Sequence, residues 1–279
     1  MTTLFGIEYG RAATARIVDG GPALAPAAVK KMFPDADWTT VMADAASADE
    51  CMADRFGDCF KIQKKIYAAT PFDRHVMIGG DHSVNFGHFA ALADRMPDDD
   101  LCLIYIDAHL DIHTPESSQA QASGAPHGTN VRALLGTGDT RWLALQSKMP
   151  ALRPENLFYL GTRSYEPAEI ECVHEKNIFM RTAAELQNPS DVENAITEIR
   201  RRLDGRPFVV SFDFDAIDPK YFRDVLVPEP NGISLDTARR LVREFSDAHS
   251  FEFVEYAPTG DAQSAEIVHE LVGTVTNAQ

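Results

Sequence analysis

The sequence predicts an α/β fold, a single domain in which helices cover both faces of a mainly parallel sheet. Three observations predict it: short apolar runs recur along the chain, segments with helical spacing separate several of them, and clusters of Pro, Gly and Asp fall between these segments. Strands that are apolar on both faces are typical of buried sheets, which are usually parallel. Because no repeat or long linker divides the chain, we expect one domain over residues 1–279.

The predicted strands are the short apolar runs, which cover residues 76–80, 101–107, 156–163, 177–180, 206–215 and 251–258. The densest of them, Leu101–Ile106 and Phe208–Phe212, are far shorter than the roughly 18 residues of a membrane span. Apolar residues three and four positions apart predict the helices, and Ser190 and Ser234 are the predicted N-caps of the second and third. The helical stretches are His82–Arg95, Ser190–Leu203 and Ser234–His249.

The composition is that of a globular protein with an excess of acidic groups. Among 279 residues, 26 Lys and Arg stand against 42 Asp and Glu, which gives a formal net charge of −16. Such a charge disfavours partners that present phosphates, so we expect neither a nucleic acid nor a membrane as a partner. The amino terminus has no signal-peptide pattern, and the four Cys are too few and too scattered for a disulfide framework. We therefore expect a cytoplasmic protein with reduced thiols.

Carboxylate and imidazole side chains follow three of the predicted strands. On an extended backbone, residues two positions apart point the same way, so the acidic and imidazole residues of Asp107–Asp111 converge. The segment Asp213–Asp215 repeats this spacing, and a tight turn at Gly79-Gly80 places a histidine after another strand. Because parallel strands meet at one sheet edge with their carboxyl ends, these groups are expected to lie together. The candidate metal ligands are His82, Asp107, His109, Asp111, Asp213 and Asp215.

Four carboxylates held together would repel one another unless cations were present, and two divalent ions balance their charge. Six oxygen and nitrogen ligands suit a pair of ions that activates a water molecule. The hard ligand set without a thiolate favours two Mn²⁺ ions over Mg²⁺, Zn²⁺ or Co²⁺. Taken singly, an Asp-rich strand end is also typical of turns and helix caps, and a binuclear phosphoesterase is an alternative interpretation of the whole set.

The motifs GGDHS (79–83), DAHLD (107–111), SFDFDAIDP (211–219) and VEYAP (254–258) resemble, in this order, the ureohydrolase family of arginases, agmatinases and related guanidino hydrolases. The resemblance is clear over residues 70–260, whereas residues 1–70 match loosely as an α/β lead-in. It implies a three-layer α/β/α domain, a binuclear manganese site and hydrolysis of a guanidino substrate with release of urea. It also implies a homo-oligomer, either a trimer or a hexamer.

The resemblance further implies three catalytic residues. Asp111 corresponds to the aspartate that passes a proton to the departing amine, and Glu255 to the acid that pairs with the substrate guanidinium. His127 corresponds to a proton shuttle or substrate contact at the mouth of the site, a task that suits an ordinary imidazole pKa of about 6.5. Asp81 and Asp218 are expected to orient ligand imidazoles or loop amides.

The residues expected to bind the rest of the substrate depart from the arginase pattern. His113 and Ala125 stand where arginases carry two asparagines, and Ser164 and Glu166 stand where they carry two aspartates, whereas Ser123 is retained. The candidate substrate-binding residues are therefore Ser123, His113 and Glu166.

The SerGly-x-x-HisGly and VEYAP motifs favour an arginase, with an agmatinase or another guanidino-acid or guanidino-amine hydrolase as the alternative. Formiminoglutamate is disfavoured because no arginine-bearing motif follows DAHLD. The altered loops also leave open a catalytically silent metal-binding protein.

Overall fold

Eight parallel strands form one sheet in this computed structural model, which describes residues 3–12, 20–96, 101–118 and 123–278. The strand order is β2-β1-β3-β8-β7-β4-β5-β6, and every neighbouring pair is parallel. The strands are β1 (Thr3–Glu8), β2 (Asp37–Met42), β3 (His75–Ile78), β4 (Cys102–Ile106), β5 (Leu157–Thr162), β6 (Phe179–Thr182), β7 (Phe208–Asp213) and β8 (Ser250–Val254).

Helices cover both faces of the sheet, so the predicted three-layer α/β/α architecture is confirmed. One core cluster joins the sheet to α1, α8, α9 and α10, and a second joins it to α3 through α7. The helices are α1 (Ala25–Met32), α2 (Ala48–Ala53), α3 (Arg55–Ala69), α4 (Asn85–Arg95), α5 (Asn130–Leu134), α6 (Thr140–Leu143), α7 (Pro167–Glu175), α8 (Pro189–Leu203), α9 (Leu235–Glu244) and α10 (Ala262–Ala278).

Strand β4 shows why the apolar runs are nearly continuous. All of its side chains are buried. Cys102, Ile104 and Ile106 pack into the first cluster, and Leu103 and Tyr105 pack into the second. Because each face of the strand meets a helix layer, an apolar residue is favoured at every position, at about 1.5–3 kcal/mol for each large side chain. The site described below is anchored on this rigid central strand.

The helix starts follow the predicted capping in one case and not in another. Ser234 caps α9 as predicted, because its Oγ accepts a hydrogen bond of 3.1 Å from the amide of Thr237. Helix α8 begins at Pro189 with Asn188 as its N-cap, so the prediction that Ser190 caps this helix is wrong. A proline at the first helical position has no N–H to satisfy and a φ already suited to the helix, which favours the earlier start.

Other bounds differ by a few residues. The segment His82–Val84 is a single 3₁₀ turn before α4, and α9 ends at Glu244, before the predicted end at His249. The strand predicted at 177–180 lies at Phe179–Thr182. Strands β1 and β2 were not predicted. Strand β2 is a largely exposed edge strand that lacks an apolar run, whereas β1 is buried at its four inner positions and its short apolar run was missed.

The sequence also predicts reduced cysteines and no membrane partner. All four cysteines are free and buried, as expected for reduced thiols. Among the described helices, none combines the length and the apolar character that crossing a bilayer requires.

Candidate metal centre and substrate pocket

Four adjacent strands, in the order β3-β8-β7-β4, carry the candidate site at their carboxyl ends. Asp107 follows β4, Asp213 ends β7, Glu255 follows β8, and His82 lies in the turn after β3. That turn requires a glycine, since a Cβ on Gly80 would lie 1.5 Å from the carbonyl oxygen of Tyr9. The six candidate metal ligands meet at this edge.

One half of the cluster surrounds the imidazole of His82. Its Nδ1 lies 2.8 Å from Oδ2 of Asp107, 3.1 Å from Oδ2 of Asp213 and 3.6 Å from Oδ2 of Asp111. On the other side of the ring, Nε2 lies 2.8 Å from Oγ of Ser211. When Nε2–H donates to this hydroxyl, the Nδ1 lone pair faces the carboxylates, which is the arrangement that a metal ligand needs.

The other half surrounds the imidazole of His109. Its Nδ1 lies 3.1 Å from Oδ2 of Asp215 and 3.4 Å from Oδ1 of Asp107. Asp107 therefore presents one oxygen to each histidine and stands between the two halves. Asp215 is fixed by its Oδ1, which accepts a hydrogen bond of 3.2 Å from the amide of Ala108.

The residues fit divalent cations. The buried atoms Nδ1 of His82 and Oδ2 of Asp107 have no hydrogen-bond partner of normal geometry, although they lie close together. Buried polar atoms without partners cost about 1–3 kcal/mol each, which a coordinated cation would offset. Two sets of ligand atoms lie close enough to hold an ion. They are His82, Asp107 and Asp111 in one set, and Asp107, His109 and Asp215 in the other.

The electrostatics of the cluster also favour added positive charge. Burial and the charge of Asp107 raise the pKa of Asp111 to about 7. Burial together with Asp215 and Asp107 raises the pKa of Asp213 well above its usual range. Burial alone lowers the pKa of His82, but the carboxylates of Asp107 and Asp213 hold it well above its ordinary value. Each shift has the direction expected where carboxylates crowd together away from water.

Asp111 and Glu255 both adopt left-handed backbone conformations, with φ of 50° and 63°. Such values are uncommon for residues other than glycine and concentrate at functional sites. The Asp111 carboxylate accepts hydrogen bonds at Oδ2 from the Tyr105 hydroxyl (2.8 Å) and from Nδ2 of Asn130 (3.2 Å). Oε1 of Glu255 accepts one from the amide of His82 (2.9 Å), and burial and Asp81 raise the pKa of Glu255 well above its usual range.

The two aspartates expected in supporting roles hold loop amides. Asp81 accepts hydrogen bonds from the amides of Ala12 (2.7 Å) and Ser83 (3.1 Å). Asp218 accepts one of 3.0 Å from the amide of Lys220. Both side chains stabilise turns beside the cluster.

A pocket of about 300 Å³ opens over the cluster. It is lined by His82, His109, Asp111, Ser123, His127, Gly128, Ser164, Tyr165, Glu166, Glu169, Asp213, Asp215, Val225, Val227, Glu229 and Glu255. Of the candidate catalytic and substrate-binding residues, the pocket brings together all except His113. The described lining residues include no Lys or Arg, so the wall beyond the cluster is acidic.

His113 is buried behind the pocket wall. Its Nδ1 lies 2.8 Å from Oγ of Ser117, and its Nε2 lies 3.2 Å from Oε2 of Glu169 and 3.5 Å from Oε1 of Glu166. Burial lowers its pKa, but the hydrogen bond and charge of Glu169 raise it above the ordinary value. In this position His113 supports the acidic wall and does not face the pocket.

His127 lies at the pocket, but its environment differs from the expectation of an ordinary imidazole. Burial and the nearby His109 lower the pKa of His127 to about 4. Its Nδ1 lies 3.3 Å from the carbonyl oxygen of Ala12. At neutral pH this side chain is therefore uncharged.

Four residues that contact the cluster were missed in the sequence: Tyr105, Asn130, Ser211 and Glu229. Tyr105 and Ser211 precede the ligands Asp107 and Asp213 by two positions, so period-two alternation could have found them. Asn130 and Glu229 approach the cluster from α5 and from the loop after β7, and no local spacing indicates this.

Comparisons with known proteins agree with the geometry. A family model described as the arginase family matches residues 10–276. The chain is 33% identical to an arginase of Entamoeba histolytica over 189 residues, which is 66% of this chain and 62% of that relative. It is 31% identical to an arginase of Eremothecium gossypii over 207 residues, 72% of this chain and 49% of that relative. The matched segments thus span less than two thirds of these relatives' lengths.

Solved structures share the fold over the whole chain. The crystal structure of arginase from Bacillus subtilis superposes with a TM-score of 0.82 at 22% identity, covering 100% of this chain and 99% of that chain. The arginase from Bacillus caldovelox gives 0.82 at 24% identity, covering 100% and 98%. An agmatine ureohydrolase of Thermoplasma volcanium gives 0.68 at 21% identity, covering 99% and 88%.

Proposed function

Because the chain belongs to the arginase family, we propose that it hydrolyses a guanidino compound and releases urea. The observation that carries this proposal is the position of Asp107, which presents one carboxylate oxygen to His82 and the other to His109. Glu255 lines the same pocket and supplies a carboxylate for a guanidinium group. This combination suits hydrolysis of a planar cationic C–N group.

The proposed cofactor is a pair of Mn²⁺ ions held by the six candidate ligands His82, Asp107, His109, Asp111, Asp213 and Asp215. The ligand set consists of carboxylates and imidazoles and has no thiolate, which favours manganese. When bound, the ions would lower the pKa of water enough to supply hydroxide near neutral pH.

The protein's own residues bind and orient the substrate and carry a proton from the attacking water to the leaving amine. Glu255 pairs with the guanidinium N–H groups, which match a carboxylate in a two-pronged geometry. Asp111, held by Tyr105 and Asn130, accepts a proton from the attacking water and delivers it to the departing amine nitrogen as the bond from that nitrogen to carbon breaks. His127, uncharged at neutral pH, can accept a proton or a hydrogen bond beside the pocket.

The proposed substrate is arginine, for which Ser123 and Glu166 are the distal contacts in the pocket. The acidic wall favours a second candidate. The carboxylates of Glu166, Glu169 and Glu229 line the pocket, and a substrate with a distal ammonium group, such as agmatine, would be attracted to them. A guanidino acid with only a distal carboxylate is the least favoured of the three types.

Urea release tests the proposal directly. The enzyme is loaded with Mn²⁺ and assayed with arginine, agmatine, guanidinobutyrate and guanidinopropionate, with Asp111→Asn as the inactive control. We expect urea from at least one compound and a loss of about 100-fold or more in the variant. If every compound is inert while metal is bound, the proposal is wrong and the silent metal-binding alternative is supported. Phosphate-ester assays test the phosphoesterase alternative.

We also propose that residues 1–279 act as one domain, in a cytoplasmic homo-oligomer that is a trimer or a hexamer. Light scattering of the purified chain measures its mass in solution, and limited proteolysis tests for a second unit. A monomer, or two separable stable fragments, would contradict these proposals.

A further inference from the structure

The hydroxyl and the ring of Tyr105 contact two different members of the metal cluster. The hydroxyl donates a hydrogen bond of 2.8 Å to Oδ2 of Asp111. The ring stacks on the imidazole of His82, with 4.3 Å between ring centres and an interplanar angle of 2°. Tyr105 is fully buried in β4, two positions before Asp107. One side chain therefore joins a candidate metal ligand to the candidate general acid.

Asn130 completes the contact from α5. Its Nδ2 lies 3.2 Å from Oδ2 of Asp111, 3.2 Å from the Tyr105 hydroxyl and 2.6 Å from the carbonyl oxygen of His127. Within the part of the chain that the structure describes, every hydrogen bond to the Asp111 carboxylate ends on Oδ2. This arrangement distinguishes the two oxygens, because Oδ2 is held by two donors and Oδ1 is left for other partners.

A second tyrosine holds the same region. Tyr159 donates a hydrogen bond of 2.6 Å to the carbonyl oxygen of Leu110, and its ring meets the Tyr105 ring edge-on with 5.5 Å between centres. The Asp111 backbone that follows has the uncommon φ of 50°. The main chain and the two rings thus place the Tyr105 hydroxyl beside Asp111, and the hydroxyl together with Asn130 holds the carboxylate in its orientation.

We propose that Tyr105 is a positioning residue that orients the Asp111 carboxylate for proton delivery to the departing amine. This inference rests on the proposed function and goes beyond it by adding a residue that touches neither substrate nor product. A hydroxyl on a stacked ring is well suited to this task. Because the ring packs against His82, the position of the hydroxyl beside Asp111 is fixed. Misplacement of a catalytic group by about 1 Å lowers a rate by roughly 100-fold.

The variant Tyr105→Phe isolates the hydroxyl, because phenylalanine keeps the ring on His82. We expect kcat of the Mn²⁺-loaded enzyme to fall by about 10- to 100-fold, with KM unchanged within about threefold. The reason is that the hydroxyl affects proton delivery to the departing amine and not substrate binding. The matched control is Tyr67→Phe, which removes a hydroxyl that donates a hydrogen bond of 2.7 Å to the carboxylate of Asp94. Neither Tyr67 nor Asp94 is among the residues that line the pocket. The control is expected to retain the wild-type kcat.

A second experiment compares Tyr105→Phe, Asn130→Ala and the double variant that combines them. Because both donors hold the same oxygen, their losses in kcat are expected to be non-additive. Strictly additive losses would contradict a shared role.

Crystal structures of the Mn²⁺-loaded wild type and of Tyr105→Phe separate this inference from the proposed function. We expect both ions to remain and the Asp111 carboxylate to rotate in the variant. If the wild type releases no urea, the proposed function fails, and the orientation of Asp111 still decides whether Tyr105 positions it. The inference is overturned if Asp111 keeps its orientation, if kcat stays within about twofold of wild type, or if the variant loses its metal.

Discussion

The main-chain amide of His82 donates a hydrogen bond of 2.9 Å to Oε1 of Glu255, a residue 173 positions later in the chain. The amide of Glu255 in turn donates one of 2.9 Å to the carbonyl oxygen of Gly80. Two hydrogen bonds therefore join the turn after β3 to the end of β8, and these two strands are neighbours in the sheet. The carboxylate proposed to bind guanidinium is fixed directly to the turn that carries a candidate metal ligand.

Replacing Glu255 by Gln removes the charge and keeps an oxygen that can accept from His82. We expect kcat/KM for the best guanidino substrate to fall by about 10- to 100-fold, because a hydrogen bond to a charged group contributes roughly 1.5–3 kcal/mol. The measurement is steady-state urea release. Glu266→Gln, an exposed position on α10, is the matched control. Wild-type kcat/KM in Glu255→Gln would show that this carboxylate does not bind the substrate.

Binding of divalent cations to the cluster is expected to stabilise the fold. At a concentration about 100 times the dissociation constant, a ligand adds roughly 2.7 kcal/mol, which shifts the midpoint of a domain this size by about 5 °C. Differential scanning calorimetry with EDTA or Mn²⁺ measures the shift. Asp107→Asn should lose most of it, because this carboxylate faces both histidines.

The exposed variant Asp35→Asn controls for loss of a carboxylate elsewhere. It is expected to keep the full manganese-dependent shift. An equal shift in Asp107→Asn and in the wild type would place the ions outside the cluster.

The sequence suggests the six candidate ligands because each follows a recognisable strand, five of them with a spacing of two residues and His82 after a glycine turn. Their meeting in space depends on the order β3-β8-β7-β4, which local spacing does not encode. Tyr105 reads in the sequence as one more apolar strand residue, and its hydroxyl has partners only after α5 packs beside β4. His113 was expected at the substrate because of its position in a motif, but the fold turns its ring toward Glu169.

Removing charge from the acidic wall is expected to change substrate preference. Glu229 lies with Oε1 3.7 Å from Nε2 of His109 and is held in place because Arg163 donates to its carbonyl oxygen (2.6 Å). For Glu229→Gln we expect kcat/KM for agmatine to fall by about 1.4- to fivefold, with no fall for guanidinobutyrate. Partly exposed charge pairs contribute about 0.2–1 kcal/mol, which sets this range.

Salt provides the control for this effect. Since screening weakens attraction between exposed charges, the preference for agmatine should narrow as ionic strength rises from about 0.01 M to about 1 M. A preference that is insensitive both to salt and to Glu229→Gln would mean that the wall does not select the substrate by charge.

A separate buried network lies at the opposite end of β3 and β8. His75 Nδ1 lies 2.8 Å from the carbonyl oxygen of Asp73, so this nitrogen carries the proton, and Nε2 is left to accept from Nε2–H of His88 at 2.7 Å. Nδ1 of His88 lies 2.5 Å from Oε1 of the fully buried Glu252. His75 is thus neutral, and the His88 ring lies between it and the Glu252 carboxylate.

This arrangement predicts a loss of stability in mild acid. Burial and the neighbouring His88 lower the pKa of His75 to about 3, whereas an unfolded histidine titrates near 6.5. Between these values the unfolded chain binds the proton and the folded chain does not, so the contribution of His75 is present above pH 6.5 and is lost as the pH falls. From pH 7.5 to 5 the loss is about 2 kcal/mol. Urea unfolding in EDTA should show this extra loss in the wild type and in the exposed variant His174→Asn, but not in His75→Gln. The same pH dependence in all three proteins would show that His75 is not the group responsible.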